Sequence, residues 1–294
     1  MKRTQFLKYL AALLLFGSNG VAASRISLSS MEIVLLRVLF GSVLLLAFFL
    51  LSGGRFTALR HPRQLGFLAV SGAAMGLNWV FLFEAYRLIG VSVASLLYYC
   101  GPVIVMALSP LVFRERLTWP KLLGFAAVLC GLLLVSGRVS ATGGSRWGLF
   151  CGMMSAVLYA VMLIFNKKAS AIVGLENAAI QLFAAFAAVA VVVGARQGFS
   201  IAPAAADWAP ILLLGVVNTG LGCYLYFSAI GCLPVQTVAI CGYLEPLSAV
   251  LFSVLLLGET LAPAQVIGAV LILGGAAFGE LAKPAAFGRR AASQ

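Results

Sequence analysis

Residues 242–275 read GYLEPLSAVLFSVLLLGETLAPAQVIGAVLILGG, and residues 98–134 read YYCGPVIVMALSPLVFRERLTWPKLLGFAAVLCGLLL. The two segments align without a gap at a constant offset of 144 residues, and the alignment extends over the rest of the chain. The offset pairs residues of the same type: Ala12 with Ala156, Glu32 with Glu176, Tyr99 with Tyr243, Pro102 with Pro246, Glu115 with Glu259, Gly124 with Gly268 and Gly131 with Gly275. Matched prolines, glutamates and glycines at one offset indicate an internal repeat.

The composition is that of an integral membrane protein. Hydrophobic residues make up 63% of the chain, charged residues 10%, and the mean hydropathy is +1.09, which leaves too little polar surface for a soluble domain. A bilayer core of about 30 Å needs about 20 apolar residues per helix. The chain divides into ten such runs, at 6–24, 31–52, 65–86, 91–113, 119–137, 147–165, 177–195, 209–230, 234–257 and 263–282. We therefore predict an all-α membrane protein with ten transmembrane helices.

Each repeat contains five of these helices, which is an odd number. The second unit must then cross the membrane in the opposite sense to the first, so we predict one repeat over residues 1–140 and an inverted one over residues 141–294. Inverted repeats are typical of transporters, because two pseudo-symmetric halves can exchange conformations and expose a central cavity to either side. The fold by itself does not name a substrate.

The two quoted segments share a proline within an apolar run, a glutamate at the turn, and a following helix with spaced glycines. In this pattern the chain resembles EamA-type members of the drug/metabolite transporter superfamily over essentially its whole length. The resemblance implies ten helices and a central cavity lined mainly by the first four helices of each repeat, with a peripheral fifth helix in each. It also implies export of amino acids and other small metabolites, or movement of drugs and nucleotide-like compounds.

The positive charges sort by side of the predicted membrane. Fourteen of the twenty lysines and arginines lie at the termini or in every second loop, five lie in the alternate loops, and Arg37 lies inside a run. Lysine and arginine concentrate on the cytoplasmic face, so both termini are predicted to be cytoplasmic and the protein to lie in the inner membrane. The net charge of +12 then reflects topology rather than nucleic-acid binding. The first run also has the layout of a signal peptide, but its removal would break the repeat.

Two charged residues inside the runs have no charged counterpart in the other repeat. Glu245 pairs with Gly101 and Arg37 pairs with Gln181, so the repeated scaffold requires neither charge. Glu245 lies about 17 Å into its run at ~1.5 Å per residue, where an ionised carboxylate facing lipid would cost ~2.5 kcal/mol or more. It must face a cavity, pair with a cation or carry a proton. Arg37 lies shallower and either snorkels outward or faces inward to bind an anion.

Together the two charges predict a site for a zwitterion, in which Arg37 binds a carboxylate while Glu245 binds an ammonium group or exchanges a proton. The alternative is that the two side chains pair with each other or with backbone carbonyls. The other residues predicted to contact the substrate are Tyr99, Tyr243, Asn19, Asn78, Trp79 and Tyr98. For asparagines within helices, hydrogen bonding between helices is the ordinary role.

Pro102 and Pro246 are the predicted hinges. Each would remove one backbone hydrogen bond inside a run and free the carbonyl of Tyr98 or Gly242. Such a carbonyl needs a partner from a neighbouring helix, from water or from a ligand. Packing and direct ligand contact therefore both remain open for these two positions.

The other paired residues predict structural roles. Glu32, Glu176, Glu115 and Glu259 lie near helix ends, and the last two each precede a helix whose positive N-terminal end favours a carboxylate. The glycines at 124, 131, 268 and 275 permit close contact between helices. They predict packing of the two peripheral helices, either against their own bundles or against another subunit.

The sequence offers no constellation for catalysis and no cofactor site. His61 lies in a basic loop, the six cysteines fall largely within the runs without a CxxC pair, and there is no P-loop for ATP. We therefore predict a secondary transporter and no enzyme.

The predicted activity is export of small amphiphilic metabolites, foremost amino acids, by alternating access and coupled to protons. Its partners are the small-molecule substrate, membrane lipid and protons, and the protein is a monomer or a homodimer. Three alternatives stay open: facilitated diffusion, efflux of lipophilic organic cations with Glu245 as counter-charge, and a non-transporting receptor or scaffold.

Overall fold

The computed structural model describes residues 2–113, 118–141, 145–230, 232–233 and 235–281, and these residues contain helices and loops but no β-strand. The helices of the first half are α1 (Lys2–Gly17), α2 (Asn19–Ala23), α3 (Ser30–Leu51), α4 (Pro62–Ile89), α5 (Val91–Tyr98), α6 (Gly101–Phe113) and α7 (Trp119–Ala141). Those of the second half are α8 (Arg146–Lys168), α9 (Gly174–Arg196), α10 (Trp208–Leu212), a π-helical segment (Leu213–Leu221), α11 (Gly222–Ile230), α12 (Val235–Gly242), α13 (Leu244–Leu257) and α14 (Pro263–Leu281).

These helices coincide with the ten predicted runs. Within the described residues, eight helical stretches are long and apolar enough to cross a membrane, and shorter apolar helices over 244–257 and 263–279 account for the last two runs. Three runs are interrupted, at Ser18, after Tyr98 and at Tyr243. The protein is therefore an all-α, multi-pass membrane protein, and its interruptions occur where the sequence predicts functional residues.

The first run is part of the packed bundle. Helix α1 packs against α11 and α13. Its Tyr9 is 1% exposed, and the phenol donates a hydrogen bond to the carbonyl of Val238 at 2.9 Å. The packing of α1 against second-half helices thus makes it one of the elements that join the two halves.

Serine side chains cap the starts of helices α3 and α8. Ser29 and Glu32 form a capping box at α3: the Ser29 hydroxyl accepts from the Glu32 amide at 3.3 Å, and the Glu32 carboxylate accepts from the Ser29 amide at 2.9 Å. The Ser145 hydroxyl likewise accepts from the amide of Gly148 at the start of α8. These bonds satisfy amides that have no partner inside the helix. Glu32 therefore has the structural role predicted for it.

The repeat partner of Glu32 binds a loop instead of its own helix. The Glu176 carboxylate accepts from the amides of Thr57 and Ala58 at 2.5 and 2.7 Å, and from the Thr57 hydroxyl at 2.7 Å. It therefore fixes the loop that follows α3. This role is structural, as predicted, but it connects the two halves.

Glu259 also acts across the halves. Its position in the sequence predicts a contact with the helix that follows it, but its carboxylate accepts from the amides of Val91 and Ser92 at 2.6 and 2.9 Å. Glu259 therefore stabilises the start of α5, where Gly90 turns the chain with a φ of +83°. Next to this cap the hydroxyls of Ser92 and Ser253 hydrogen-bond to each other. Glu115, the repeat partner of Glu259, lies outside the described residues.

The glycine-bearing helices α7 and α14 pack against each other. A Cβ at Gly124 would meet the backbone of Gly275 and Gly279, and a Cβ at Gly131 would meet the backbone of Gly268. The glycines therefore allow the two backbones to touch, as small residues do in membranes. The sequence predicts packing within each bundle or between subunits, whereas the structure pairs the last helix of one half with the last helix of the other.

Candidate functional site

A small cavity, here called the central cavity, lies between the first four spans and α13. Six residues predicted to bind substrate line it: Arg37, Glu245, Trp79, Tyr98, Tyr99 and Asn19. The other lining residues are Phe16, Leu82, Phe83, Tyr86, Ser95 and Ala249. Its free volume is about 20 Å³, and one water molecule needs roughly 10–15 Å³. A metabolite would therefore fit in this cavity only if the surrounding helices moved apart.

Arg37 is enclosed by protein, with 2% of its surface exposed. Its Nε donates a hydrogen bond to the Thr219 hydroxyl at 2.7 Å, and its guanidinium carbon lies 4.1 Å from the ring centre of Trp79 and 5.3 Å from that of Phe83. Its Nη1 has no hydrogen-bond partner among the described residues. Of the two orientations that the sequence allows, the structure shows the inward one. A stacked guanidinium with an unpaired N–H edge is suited to bind an anion.

Glu245 lies in the first turn of α13, directly after the interruption at Tyr243. The first amides of a helix lack partners within it, and the positive end of the helix dipole favours a carboxylate at this position. Tyr99 and Glu245 both line the central cavity. The break in the span thus gives an acidic group a polar environment at membrane depth.

Arg37 and Glu245 share the central cavity without forming a salt bridge in the described part of the chain. The ion pair that the described residues do contain lies outside this cavity, at the end of α4, where Arg87 and Glu84 are 3.8 Å apart. Opposite charges on separate elements of one cavity provide two poles for a molecule that carries both signs. The arrangement differs from the direct pairing that the sequence leaves open as an alternative.

The two predicted hinges lie at helix starts. Pro102 is the second residue of α6 and Pro246 the third residue of α13. Proline is well accommodated in a first turn, because the amide that it lacks would have no partner there. Both prolines therefore follow breaks at Tyr99 and Tyr243, whereas the sequence predicts them inside continuous helices. Whether the spans bend at these breaks during a working cycle stays a prediction.

The two predicted asparagines have different surroundings. Asn19 begins α2 and lines the central cavity, and its side-chain oxygen accepts from the amide group of Asn218 at 3.1 Å. Asn218 also donates to the Ser18 hydroxyl at 2.9 Å. Asn78 is buried and is not among the lining residues. Asn19 therefore has both the ordinary interhelical role and access to the cavity.

Tyr243 lies elsewhere, in the wall of a second cavity of about 340 Å³. Pro102, Lys121 and Lys167 line this second cavity together with apolar side chains of α6, α8 and α14. Repeat symmetry pairs Tyr99 with Tyr243, but the structure places them in different cavities. The central cavity is therefore built mainly from the first half.

Three residues with hydroxyl groups in or beside the cavity are absent from the sequence prediction: Thr219, Tyr86 and Ser95. Thr219 is fully buried and contacts Arg37, while Tyr86 and Ser95 belong to the cavity wall. The repeat gives no signal for Thr219, because its counterpart is Met75. The polar pair at 218–219 within an otherwise apolar run is the signal that could have identified it.

The chain resembles known transporters over nearly its whole length. The EamA-like transporter family matches residues 5–137 and 146–278. The uncharacterized transporter YxxF of Bacillus subtilis is 24% identical over 94% of this chain and 89% of its own length. The uncharacterized inner membrane transporter YicL of Salmonella typhimurium is 26% identical over 92% of this chain and 93% of its own length.

Two further comparisons bear on substrate and on fold. A probable terminal-alkyne amino-acid exporter of Streptantibioticus cattleyicolor is 28% identical over 74% of each chain. A solved crystal structure superposes with a TM-score of 0.66 at 20% identity, covering 94% of this chain and 97% of the other. At that identity the superposition supports the fold alone.

Proposed function

The chain belongs to the EamA-like transporter family, and from that premise we propose that it exports small zwitterionic metabolites, with amino acids as the main class. The observation that carries this proposal is the central cavity, in which Arg37 Nη1, which has no partner among the described residues, and the carboxylate of Glu245 are separate poles. Arg37 would bind the substrate carboxylate and Glu245 its ammonium group. The similarity to a probable amino-acid exporter supports the same substrate class.

Alternating access follows from the same proposal. At the end that carries Glu259, the bonds of Glu259 to α5 and of Ser92 to Ser253 join the two halves. The larger cavity beside Tyr243 lies near Lys121 and Lys167, at the end that the distribution of positive charge assigns to the cytoplasm. This state would be closed to the outside, and export would require release of the contacts at Glu259.

Proton coupling would use Glu245. A carboxyl group in the first turn of a helix, in the wall of the proposed substrate site, can lose a proton when an ammonium group arrives and regain it after release. The same site would therefore bind either the proton or the ammonium group. This competition is the simplest way to couple the two.

The test is uptake into inside-out vesicles, with and without a pH gradient, of the labelled proteinogenic amino acids and of the lipophilic cation tetraphenylphosphonium. We expect amino-acid uptake above protein-free vesicles, and its loss in Arg37→Gln and Glu245→Gln. Arg87→Gln is the matched control, because the Arg87 side chain is 55% exposed and lies outside the cavity.

The other outcomes distinguish the alternatives. Uptake of the cation that needs Glu245 but survives Arg37→Gln would replace the amino-acid proposal with cation efflux. Uptake that is independent of the pH gradient would replace proton coupling with facilitated diffusion. Absence of uptake of any solute on the panel would point to a receptor or scaffold.

A further inference from the structure

Thr219 joins Arg37 to the second half of the molecule. We propose that Thr219 is a positioning residue that holds the Arg37 guanidinium with its Nη1 edge toward the central cavity, and so sets the affinity for the carboxylate of the substrate. The inference rests on the proposed function for its effect on transport. Its structural part, the hold on Arg37, stands on the contacts of Thr219 alone.

The hydrogen bonds of Thr219 have a defined direction. A hydroxyl group carries one proton and two acceptor sites. The Thr219 proton is donated to the Leu214 carbonyl at 2.7 Å, which leaves the oxygen to accept from Arg37 Nε, also at 2.7 Å. The donor of Arg37 is thus matched by an acceptor whose own orientation is fixed by the backbone.

The π-helical segment supplies that backbone. Leu214 lies five residues before Thr219, which is the spacing of a π-turn rather than of an α-helix. Such turns are uncommon and occur frequently at functional sites. Here the wider turn brings the threonine side chain and the Leu214 carbonyl together directly beside α3.

Glycines bring the π-helical segment close to α3. A Cβ at Gly41 would collide with the Thr219 side chain, and a Cβ at Gly215 would collide with Phe40 and crowd the Arg37 carbonyl. Helix α3 and the π-helical segment therefore pack closely at Gly41 and at Gly215, next to the hydrogen bond between Arg37 and Thr219. This close approach leaves the Thr219 hydroxyl little freedom to move away from Arg37.

The remaining contacts of Arg37 show what the hydrogen bond achieves. Trp79 covers one face of the guanidinium at 4.1 Å, Thr219 holds Nε, and Nη1 has no partner in the described part of the chain. With the face and one edge fixed, the Nη1 donor can meet a carboxylate without first reorienting, which is the advantage of preorganisation. In the other half the matched pair is Gln181 and Met75, and the thioether of a methionine is only a weak acceptor. The scaffold itself therefore does not require a hydroxyl at position 219.

The test compares Thr219→Val with Thr219→Ser and uses Ser71→Ala as matched control. Ser71 is as deeply buried as Thr219 and bonds the counterpart of Arg37, donating to Gln181 at 2.7 Å. We expect Thr219→Val to raise the KM for the amino acid that the wild type transports best by about tenfold, with little change in maximal rate. Thr219→Ser and Ser71→Ala should keep the wild-type KM. If Thr219→Val does not fold, Thr219→Ala takes its place.

A second readout does not depend on transport. Trp119, Trp147 and Trp208 are exposed, so their replacement by phenylalanine leaves Trp79 as the single tryptophan reporter beside Arg37. Thr219→Val should change the Trp79 emission spectrum because the guanidinium moves off the ring, whereas Thr219→Ser and Ser71→Ala should not. An unchanged spectrum, or an unchanged KM in a folded Thr219→Val protein, would overturn the inference. Absence of amino-acid uptake by the wild type, or uptake that is unchanged in Arg37→Gln, would instead overturn the proposed function.

Discussion

Arg37 and Gln181 occupy equivalent positions in the two halves, and their surroundings differ in one respect that matters for function. Gln181 is bonded at both ends of its amide: it donates to Asn177 at 2.5 Å and accepts from Ser71 at 2.7 Å. Arg37 bonds Thr219 through Nε, but its Nη1 has no partner among the described residues. Buried polar groups are nearly always satisfied, so the site of Gln181 is complete while that of Arg37 has a donor available for a ligand.

The largest effect on stability is expected when the site of Gln181 is given the arginine of its counterpart. Gln181→Arg would place a charge at a position that is 3% exposed and whose present side chain is bonded to Ser71 and Asn177. We expect a loss of about 2.5 kcal/mol or more in the free energy of unfolding, measured as thermal unfolding in detergent. Gln197→Arg, at the exposed end of the same helix, is the control. Equal melting of the two variants would contradict the comparison.

The cap formed by Glu259 should have the next largest effect. Glu32 caps a helix of its own half, whereas Glu259 caps α5 in the opposite half. Glu259→Gln removes the charge and one of the two acceptors, at an expected cost of about 1–2 kcal/mol. Hydrogen exchange should rise in the peptide that covers α5 and stay constant in α3. An equal rise in both helices would mean that Glu259 stabilises the bundle as a whole.

Removal of the Arg37 charge should change the free energy of unfolding less than Gln181→Arg does. We expect that free energy to stay nearly the same or to increase. Replacing buried charged groups by apolar residues of similar volume is often neutral or stabilising. We therefore expect Arg37→Met to unfold within about 1 kcal/mol of the wild type, or to be more stable, while amino-acid uptake is lost. A large fall in stability would show that Arg37 serves the fold rather than the substrate.

The smallest effect is expected at Ser71. Its hydroxyl has one proton, and its oxygen is within hydrogen-bond distance of the Gln181 side-chain oxygen at 2.7 Å and of the Met162 carbonyl at 2.9 Å. Interhelical hydrogen bonds in membranes contribute about 0.6 kcal/mol on average. Ser71→Ala should lower the free energy of unfolding by about that amount. A folded Ser71→Ala protein that no longer transports would place this side chain in the working site and weaken the contrast between the halves.

Hydropathy and the repeat offset predicted the spans well, because crossing a bilayer requires a minimum apolar length that is visible in the sequence. The interruptions at Tyr99 and Tyr243 were harder to predict from the sequence, since a proline in an apolar run predicts a kink as readily as a new helix start. The partners of Glu259 and of the glycines in α7 were also not predictable. Those contacts join residues of different halves, and the local sequence carries no record of which distant element will lie opposite.

In the candidate site too, the features visible in the local sequence were predicted and the contacts between distant residues were not. Arg37 and Glu245 stood out because a charge inside an apolar run, without a counterpart in the repeat, needs a special environment. Their location in one cavity is consistent with a shared role, which stays a prediction until it is tested. Thr219 was missed because its contribution depends on a π-turn and on the glycine contacts that bring it to Arg37.

The glycine contact between α7 and α14 bears on the assembly of the protein from fragments. Each is the last helix of its half, and their backbones touch through Gly124, Gly131, Gly268 and Gly275. Two separately translated polypeptides, one ending after α7 and one beginning at α8, would therefore carry complementary faces and recombine within the bilayer. Co-purification of tagged fragments, and its loss with Gly131→Leu, would measure this association. The halves would then recognise each other through shape, without needing to belong to one polypeptide.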